Sequence, residues 1–168
     1  MKRRSWLKLG LGSAVLLAVG GGLVASMEPG WRQGRFSAGA DVVLRACAKA
    51  LLAGSLPTED DAQAAALNGL MTRLADAVAA LPAHAQAELS DLLALMGTAV
   101  GRQWLGGVPS HWAQASVAEV QSGLQAMRLS PLSLRQQAYM ALHDLTGAAY
   151  FSAPQTWTVL GYPGPRDL

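Results

Sequence analysis

The sequence of 168 residues contains one cysteine, Cys47, and few charged or aromatic side chains (14% and 6%). A single cysteine excludes an internal disulfide framework, a zinc site built of cysteines alone and a cysteine-ligated iron–sulfur cluster. β-branched and aromatic residues are scarce, and no segment alternates polar and apolar residues for long enough to predict a convincing strand. Alanine, leucine and glutamine are plentiful, so the composition favours an all-α fold.

The chemistry of a self-sufficient active site is also missing from the sequence. We expect His84, His111 and His143 to be surface or hydrogen-bonded histidines rather than metal ligands. Cys47 lies on the apolar stripe of a predicted helix, which indicates a buried and unreactive thiol. The sequence has no Gly-x-Ser-x-Gly motif, no phosphate-binding loop and no haem-attachment motif. It therefore predicts a chain that is not an enzyme and holds no metal or cofactor of its own.

The positive charge of the chain is concentrated at its N-terminus. Four of the thirteen basic residues lie within the first eight positions, whereas all eleven acidic residues lie at or beyond Glu28. The formal net charge of +2 and the pI of about 9.0 are thus properties of the N-terminal segment. The rest of the chain carries no basic face of the kind that binds nucleic acid.

Residues 1–27 have the architecture of an export signal, a charged segment followed by an apolar, glycine-rich one. The charged segment, KRRSWLK, resembles the twin-arginine (Tat) signal, which directs folded proteins to the Tat translocase. An ordinary Sec signal and a plain membrane anchor are the alternatives. Cleavage after Ser26 and retention as an anchor both stay open, because small residues precede Met27 without an Ala-x-Ala motif. The residues that carry the signal are Arg3, Arg4, Trp6, Leu7 and Lys8.

The remainder of the chain is predicted to be a short linker over residues 28–36 and a bundle of about five helices within a domain over 37–168. Apolar residues recur at helical spacing in five segments, each with a start or stop signal. The first helix follows Ser37 and ends before Gly54, and the second follows a cap at Thr58. The third helix starts at Pro82 and ends at a break near Gly106. The fourth starts behind a capping box at Ser116–Glu119, and the fifth starts at Ser130. The last is predicted to end near Phe151, before a short turn from Pro154 to Gly161 and an irregular Pro/Gly tail.

The last predicted helix carries polar and aromatic residues beside its apolar stripe. Tyr139, His143, Thr146 and Tyr150 recur at helical spacing on one face. Amphipathic aromatic side chains of this kind are common in protein interfaces. The same stripe could instead receive the folded-back tail of this chain, and the two interpretations are compatible.

The C-terminal sequence resembles a known family. The segments Leu142–Trp157, LHDLTGAAYFSAPQTW, and Leu160–Pro165, LGYPGP, are similar to the C-terminal signature of the gluconate 2-dehydrogenase subunit 3 family. The resemblance covers about Leu129 to Pro165, and the Tat-like leader is a second, less specific match. Residues 37–128 match the family in helical character only.

The resemblance implies that the chain is the small, non-catalytic subunit of a membrane-bound periplasmic dehydrogenase for sugars, sugar acids or alcohols. The large subunit of such a complex, of the glucose–methanol–choline type, holds the FAD and depends on the small subunit's leader for export. A cytochrome c subunit often completes the complex. The implied partner interface consists of Tyr139, His143, Tyr150, Phe151, Trp157, Tyr162, Pro163 and Pro165.

One feature departs from the family pattern, and one alternative function stays open. The proline-rich segment that usually follows the leader in this family is not clear here, which leaves the substrate and the cytochrome undetermined. A free-standing helical protein of the periplasm or membrane, with another partner, is the alternative function. A neighbouring reading frame for a flavin oxidoreductase without its own signal peptide would favour the subunit.

Overall fold

The computed structural model describes residues 27–161. The export residues from Arg3 to Lys8 and the tail residues Tyr162, Pro163 and Pro165 lie outside this range. Within it the chain forms a two-stranded hairpin and five α-helices, which confirms the predicted all-α class. The elements are β1 Trp31–Arg32, β2 Arg35–Phe36, α1 Ala38–Leu51, α2 Asp60–Ala79, α3 Ala83–Gly97, α4 Val117–Arg128 and α5 Ser133–Phe151, together with a π-helical turn Gly101–Leu105 and a 3₁₀ helix Pro154–Leu160.

Two of the predicted helix starts are made by serine caps. The Ser37 hydroxyl accepts a hydrogen bond from Ala40 N (3.2 Å), and the Ser116 hydroxyl accepts one from Glu119 N (3.2 Å). Each bond satisfies a backbone donor that the first turn of a helix leaves without a partner. The reciprocal half of the capping box is absent, because the Glu119 carboxylate accepts from Ser110 N instead (2.7 Å).

The prediction of a cap at Thr58 is wrong. Helix α2 begins at Asp60, and its N-cap residue, Glu59, makes no side-chain cap bond. Asp60 and Asp61 still place negative charge in the first turn, where the helix dipole favours it. The acidic residues therefore mark the start of the helix better than the hydroxyl does.

The third helix ends earlier than predicted. It stops at Gly97 because Thr98 adopts an extended backbone conformation, and the Thr98 hydroxyl accepts from Gly101 N (2.9 Å) to start the π-helical turn. Arg102 in this turn is buried and donates to the carbonyl oxygens of Val108 and Pro109. These tertiary bonds hold the turn in a conformation that no local sequence signal indicated.

The segment predicted as a linker is a hairpin packed on the helical body. Trp31 pairs with Phe36 across the hairpin, and their rings lie 4.7 Å apart. Gln33 and Gly34 form the turn with positive φ angles of 52° and 76°. Trp31 is 8% exposed, and its indole Nε1 donates to Gln86 Oε1 on α3 (3.0 Å). The folded body therefore begins before residue 37.

One hydrophobic core joins all five helices and the hairpin. Helix α1 lies at its centre and packs against α2, α3, α4 and α5. Val117, the first residue of α4, is 41% exposed, because the core-facing stripe of α4 starts one turn later, at Val120. In α5 the buried residues are Leu134, Ala138, Leu142, Thr146, Ala149 and Tyr150, and the rest of the surface of that helix is available to other contacts.

Candidate partner-binding surface

The predicted aromatic stripe of α5 splits into an exposed half and a buried half. Tyr139 is half-buried and stacks on His143, with ring centroids 5.5 Å apart and planes inclined by 28°. The His143 side chain is 52% exposed, and its Nδ1 lies 2.9 Å from Asp144 Oδ1. These two rings lie where another protein can reach them.

Tyr150 and Thr146 belong to the interior of this chain. Tyr150 is 3% exposed, and its hydroxyl donates to the carbonyl oxygen of Ser55 in the α1–α2 loop (2.7 Å). Burial raises the pKa of the Tyr150 phenol, and the nearby Arg73 guanidinium partly opposes that rise. Thr146 is 1% exposed, and its hydroxyl is buried without a hydrogen-bond partner among the described residues. Tyr150 thus ties two parts of the fold together rather than projecting from the surface.

Phe151 and Trp157 are half-buried at the C-terminal end of α5. The Phe151 ring meets the Tyr150 ring edge-on at 5.1 Å. The indole Nε1 of Trp157 donates to the Phe151 carbonyl oxygen (2.8 Å), so it satisfies one of the last carbonyl groups of α5. Both residues therefore serve the packing of the 3₁₀ helix on α5, and each keeps part of its ring accessible.

The structure adds two apolar residues to the exposed half of the stripe. Leu132 is 47% exposed and Met140 is 49% exposed. Met140 lies in α5 three residues before His143, on the same side of the helix as that residue. Leu132 is the N-cap residue of α5 and lies immediately before its first turn. The three-residue spacing between Met140 and His143 is the sequence signal for Met140, and a stripe defined by polar aromatic residues alone does not include it. We refer to Leu132, Tyr139, Met140 and His143 as the exposed α5 face.

The exposed α5 face is built for contact rather than for chemistry. None of its four residues is Lys, Arg, Asp or Glu, and apolar side chains lie on either side of the stacked rings. Tyr and Met are among the residues enriched in the cores of protein interfaces. A tyrosine that buries its ring while its hydroxyl keeps a hydrogen bond is a common anchor in such interfaces.

No constellation of catalytic groups is found among the residues that the structure describes. No group of three potential ligands of the His, Cys, Asp or Glu type comes together in residues 27–161. Cys47 is fully buried in α1, and burial raises the pKa of its thiol from 9.0 to about 12. Such a thiol is neither a nucleophile nor a metal ligand at neutral pH.

A cavity of about 320 Å³ lies between the α1–α2 loop, α2 and the 3₁₀ helix. Small residues line one side of it, and Arg73 and Tyr150 line the other. Both of these side chains already bond the backbone of this chain, since Arg73 Nε donates to the Ala149 carbonyl oxygen (2.7 Å). Among the described residues that line this cavity, no nucleophile lies beside a base.

None of the helices in residues 27–161 is long and apolar enough to cross a membrane. Comparison of the chain with models of protein families, with curated proteins and with solved structures finds no match.

Proposed function

We propose that this chain is the small, non-catalytic subunit of a periplasmic, FAD-dependent dehydrogenase for a sugar, sugar acid or alcohol. In this role it carries a folded flavoprotein of the glucose–methanol–choline type through the Tat translocase and stabilises it after export. The FAD belongs to the large subunit. Complexes of this kind often include a cytochrome c subunit as well.

The observation that carries the proposal is the C-terminal sequence from Leu142 to Pro165, together with the twin-arginine string at the N-terminus. A folded cargo is the physical reason for using Tat, because this pathway transports proteins that have already folded. In this proposal the small subunit holds no cofactor of its own, so the need to fold before export comes from the partner. A tightly bound FAD in a partner supplies that requirement.

The exposed α5 face supports the proposal because it offers a surface on which the flavoprotein can bind. Its apolar and aromatic side chains are exposed although one core already joins every helix of the body. The family-like signature begins in the same helix, so the resemblance and the exposed side chains meet in α5. Tyr150 contributes indirectly, since it fixes the end of the helix that carries the face.

Export is tested by fractionation of cells that express this chain with a candidate partner, a flavoprotein of the glucose–methanol–choline type without its own signal peptide. Replacement of Arg3 and Arg4 by lysine keeps the charge and removes the twin-arginine signal. We expect both proteins to remain in the cytoplasm in the double variant and both to reach the periplasm in the wild type. A flavoprotein that is still periplasmic in the double variant refutes the export role.

Binding is tested by co-purification of the flavoprotein with variants of the exposed α5 face. Truncation of a central aromatic anchor commonly costs about 2 kcal/mol or more, which is about thirtyfold in affinity. We therefore expect Tyr139→Ala and Met140→Ala to reduce the recovered flavoprotein. Val100→Ala is the matched control, because Val100 is an exposed apolar residue (72%) of the turn after α3. If all three variants recover the flavoprotein equally, the contact surface lies elsewhere.

A further inference from the structure

The cavity between the α1–α2 loop, α2 and the 3₁₀ helix combines one positive charge with a largely apolar lining. Its volume of about 320 Å³ is at the lower end of the range of ligand pockets, about 300–1,000 Å³. Leu56, Pro57, Ala65 and Ala66 supply apolar surface, and Arg73 is the only charged residue among the described residues of the lining. No Asp or Glu of this lining neutralises it. The cavity therefore suits a small ligand with one negative charge and an apolar body.

The guanidinium of Arg73 uses one of its N–H groups within the chain. Arg73 Nε donates to the Ala149 carbonyl oxygen (2.7 Å), in the last turn of α5. A guanidinium carries five N–H donors, and the four on Nη1 and Nη2 have no hydrogen-bond or ion-pair partner among the described residues. The bond to α5 thus fixes the side chain and leaves both Nη atoms available to a ligand.

Gly69 makes room for the guanidinium at the wall of the cavity. Arg73 follows it by four residues in α2, and side chains of a helix lean toward its N-terminus, so Arg73 extends over Gly69. A Cβ atom added at Gly69 would lie 3.2 Å from Arg73 Nη1, the only contact within 4 Å that the described residues outside the backbone of α2 would make with it. Glycine is unfavourable inside a helix. What this one accommodates is the free end of the arginine, and both residues line the cavity.

These features favour a carboxylate over other anions. The planar guanidinium matches a carboxylate, which accepts two parallel N–H bonds from it. One guanidinium balances one negative charge, whereas a doubly charged phosphate would bring uncompensated charge into a mostly apolar cavity. The apolar lining adds a preference for a hydrocarbon group attached to the carboxylate.

We propose that this cavity binds a small aliphatic monocarboxylate. Arg73 Nη1 and Nη2 hold the carboxylate, and the hydrocarbon part lies against Leu56, Pro57 and Ala66. The ligand contacts the α1–α2 loop and α2 at once, beside the Tyr150 hydroxyl that joins this loop to α5. The proposal is independent of the role as a dehydrogenase subunit and adds a ligand to the small chain itself.

The test titrates the purified full chain with butyrate and follows the backbone amide signals by ¹H–¹⁵N NMR. We expect the signals of Ser55 and Gly69 to shift and to saturate. Butyramide has the same shape without the charge and should bind about tenfold more weakly or worse. Arg73→Lys keeps a positive charge and a donor for Ala149 but loses the paired Nη donors. The loss of one charge-assisted hydrogen bond should weaken butyrate binding about tenfold or more.

A second variant tests the cavity without changing Arg73. Ala66→Leu places a larger side chain in the cavity at a half-buried position of α2 and should abolish butyrate binding. Ala64→Leu is the matched control, because Ala64 is exposed in the same helix and does not line the cavity. This variant should bind butyrate like the wild type. Circular dichroism shows whether each variant is folded, and this pair decides the test if Arg73→Lys is not.

Several results overturn the proposal. Butyrate that shifts no signal near the cavity, butyramide that binds equally well, or equal binding by Ala66→Leu and Ala64→Leu would each do so. Tighter binding of inorganic phosphate than of butyrate would indicate a general anion site. Tighter binding of the tripeptide Gly-Gly-Val, through its terminal carboxylate, would make a peptide end the occupant instead. None of these titrations includes the flavoprotein, so their outcome and that of the proposed function are decided separately.

Discussion

At Gly30 the backbone lies too close to α3 to leave room for a side chain. A Cβ atom added there would lie 2.7 Å from Leu93 Cβ and 2.7 Å from the Ser90 carbonyl oxygen. Both neighbours belong to the buried side of α3 and cannot move away without loosening the core. The glycine at this position is therefore required by packing.

We expect Gly30→Ala to lower the free energy of unfolding by about 1–3 kcal/mol, the usual effect of overpacking. Gly39→Ala is the control, since a Cβ at Gly39 in α1 meets nothing within 4 Å and alanine favours the helix. Urea unfolding of both variants measures the difference. Equal stability of the two would show that the hairpin does not approach α3 as described.

The buried Cys47 thiol predicts a dependence of stability on alkaline pH. Its pKa is raised from 9.0 to about 12 by burial, so the folded state keeps the proton over a range in which the unfolded state releases it. Because the unfolded state then binds fewer protons, stability falls as the pH rises above 9, by about 1.4 kcal/mol per pH unit. Below pH 9 this contribution is complete.

The measurement compares urea unfolding of the wild type and Cys47→Ala at several pH values from 8 to about 10.5. Other groups titrate in the same range, but they are common to both proteins and cancel in the difference. We expect the stability of the wild type relative to the variant to decline only above pH 9. A constant difference would mean that the thiol is not buried as the structure places it.

At the scale of elements, the sequence predicts those features that local chemistry determines. Ser37 and Ser116 cap their helices as expected, because a cap needs only a hydroxyl and the next turn of backbone. The π-helical turn was not predictable, since it depends on contacts of Arg102 with residues after the turn. The hairpin carried a signal in Gln33-Gly34 between two aromatics, but strands of two residues are too short for periodicity to reveal.

The candidate surface was predictable to a similar extent. Helical spacing placed Tyr139, His143 and Tyr150 on one face of α5, and that placement holds. The part of the face that is covered depends on the α1–α2 loop. The Ser55 carbonyl oxygen in that loop accepts a hydrogen bond from the Tyr150 hydroxyl, although the two residues are 95 positions apart in the sequence. Spacing along one helix contains no information about such a distant segment.

Tyr150→Phe tests the assignment of this residue to the interior. The variant keeps the ring and removes a hydroxyl whose loss leaves the Ser55 carbonyl oxygen without that donor. We expect a loss of about 1–2 kcal/mol in stability, the usual cost of a missing buried hydrogen bond. Tyr139→Phe is the control and should unfold like the wild type, as Tyr139 is only half-buried. If Tyr139→Phe is less stable than Tyr150→Phe, Tyr150 belongs to the partner-binding surface rather than to the interior.

At the scale of the molecule, the structure has one core rather than a helical body with appended segments. The Trp31 ring of the hairpin and the buried Trp112 ring belong to the same hydrophobic cluster. Trp112 Nε1 donates to the Met96 carbonyl oxygen at the end of α3 (2.7 Å), while Trp31 bonds Gln86 near the start of that helix. Helix α3 thus connects the hairpin to the loop before α4, and neither can detach without exposing apolar surface.

This arrangement predicts that the hairpin and the helices unfold in a single transition. A variant that keeps Trp31 and carries phenylalanine at Trp6, Trp104, Trp112 and Trp157 reports on the hairpin alone through its fluorescence, while far-ultraviolet circular dichroism reports on the helices. We expect the two urea curves of that variant to share one midpoint and one slope, the latter about 1–3 kcal/mol/M for a protein of this size. Trp31 fluorescence that changes at lower urea than the helical signal would instead show a hairpin that opens by itself, and the folded body would then begin at α1.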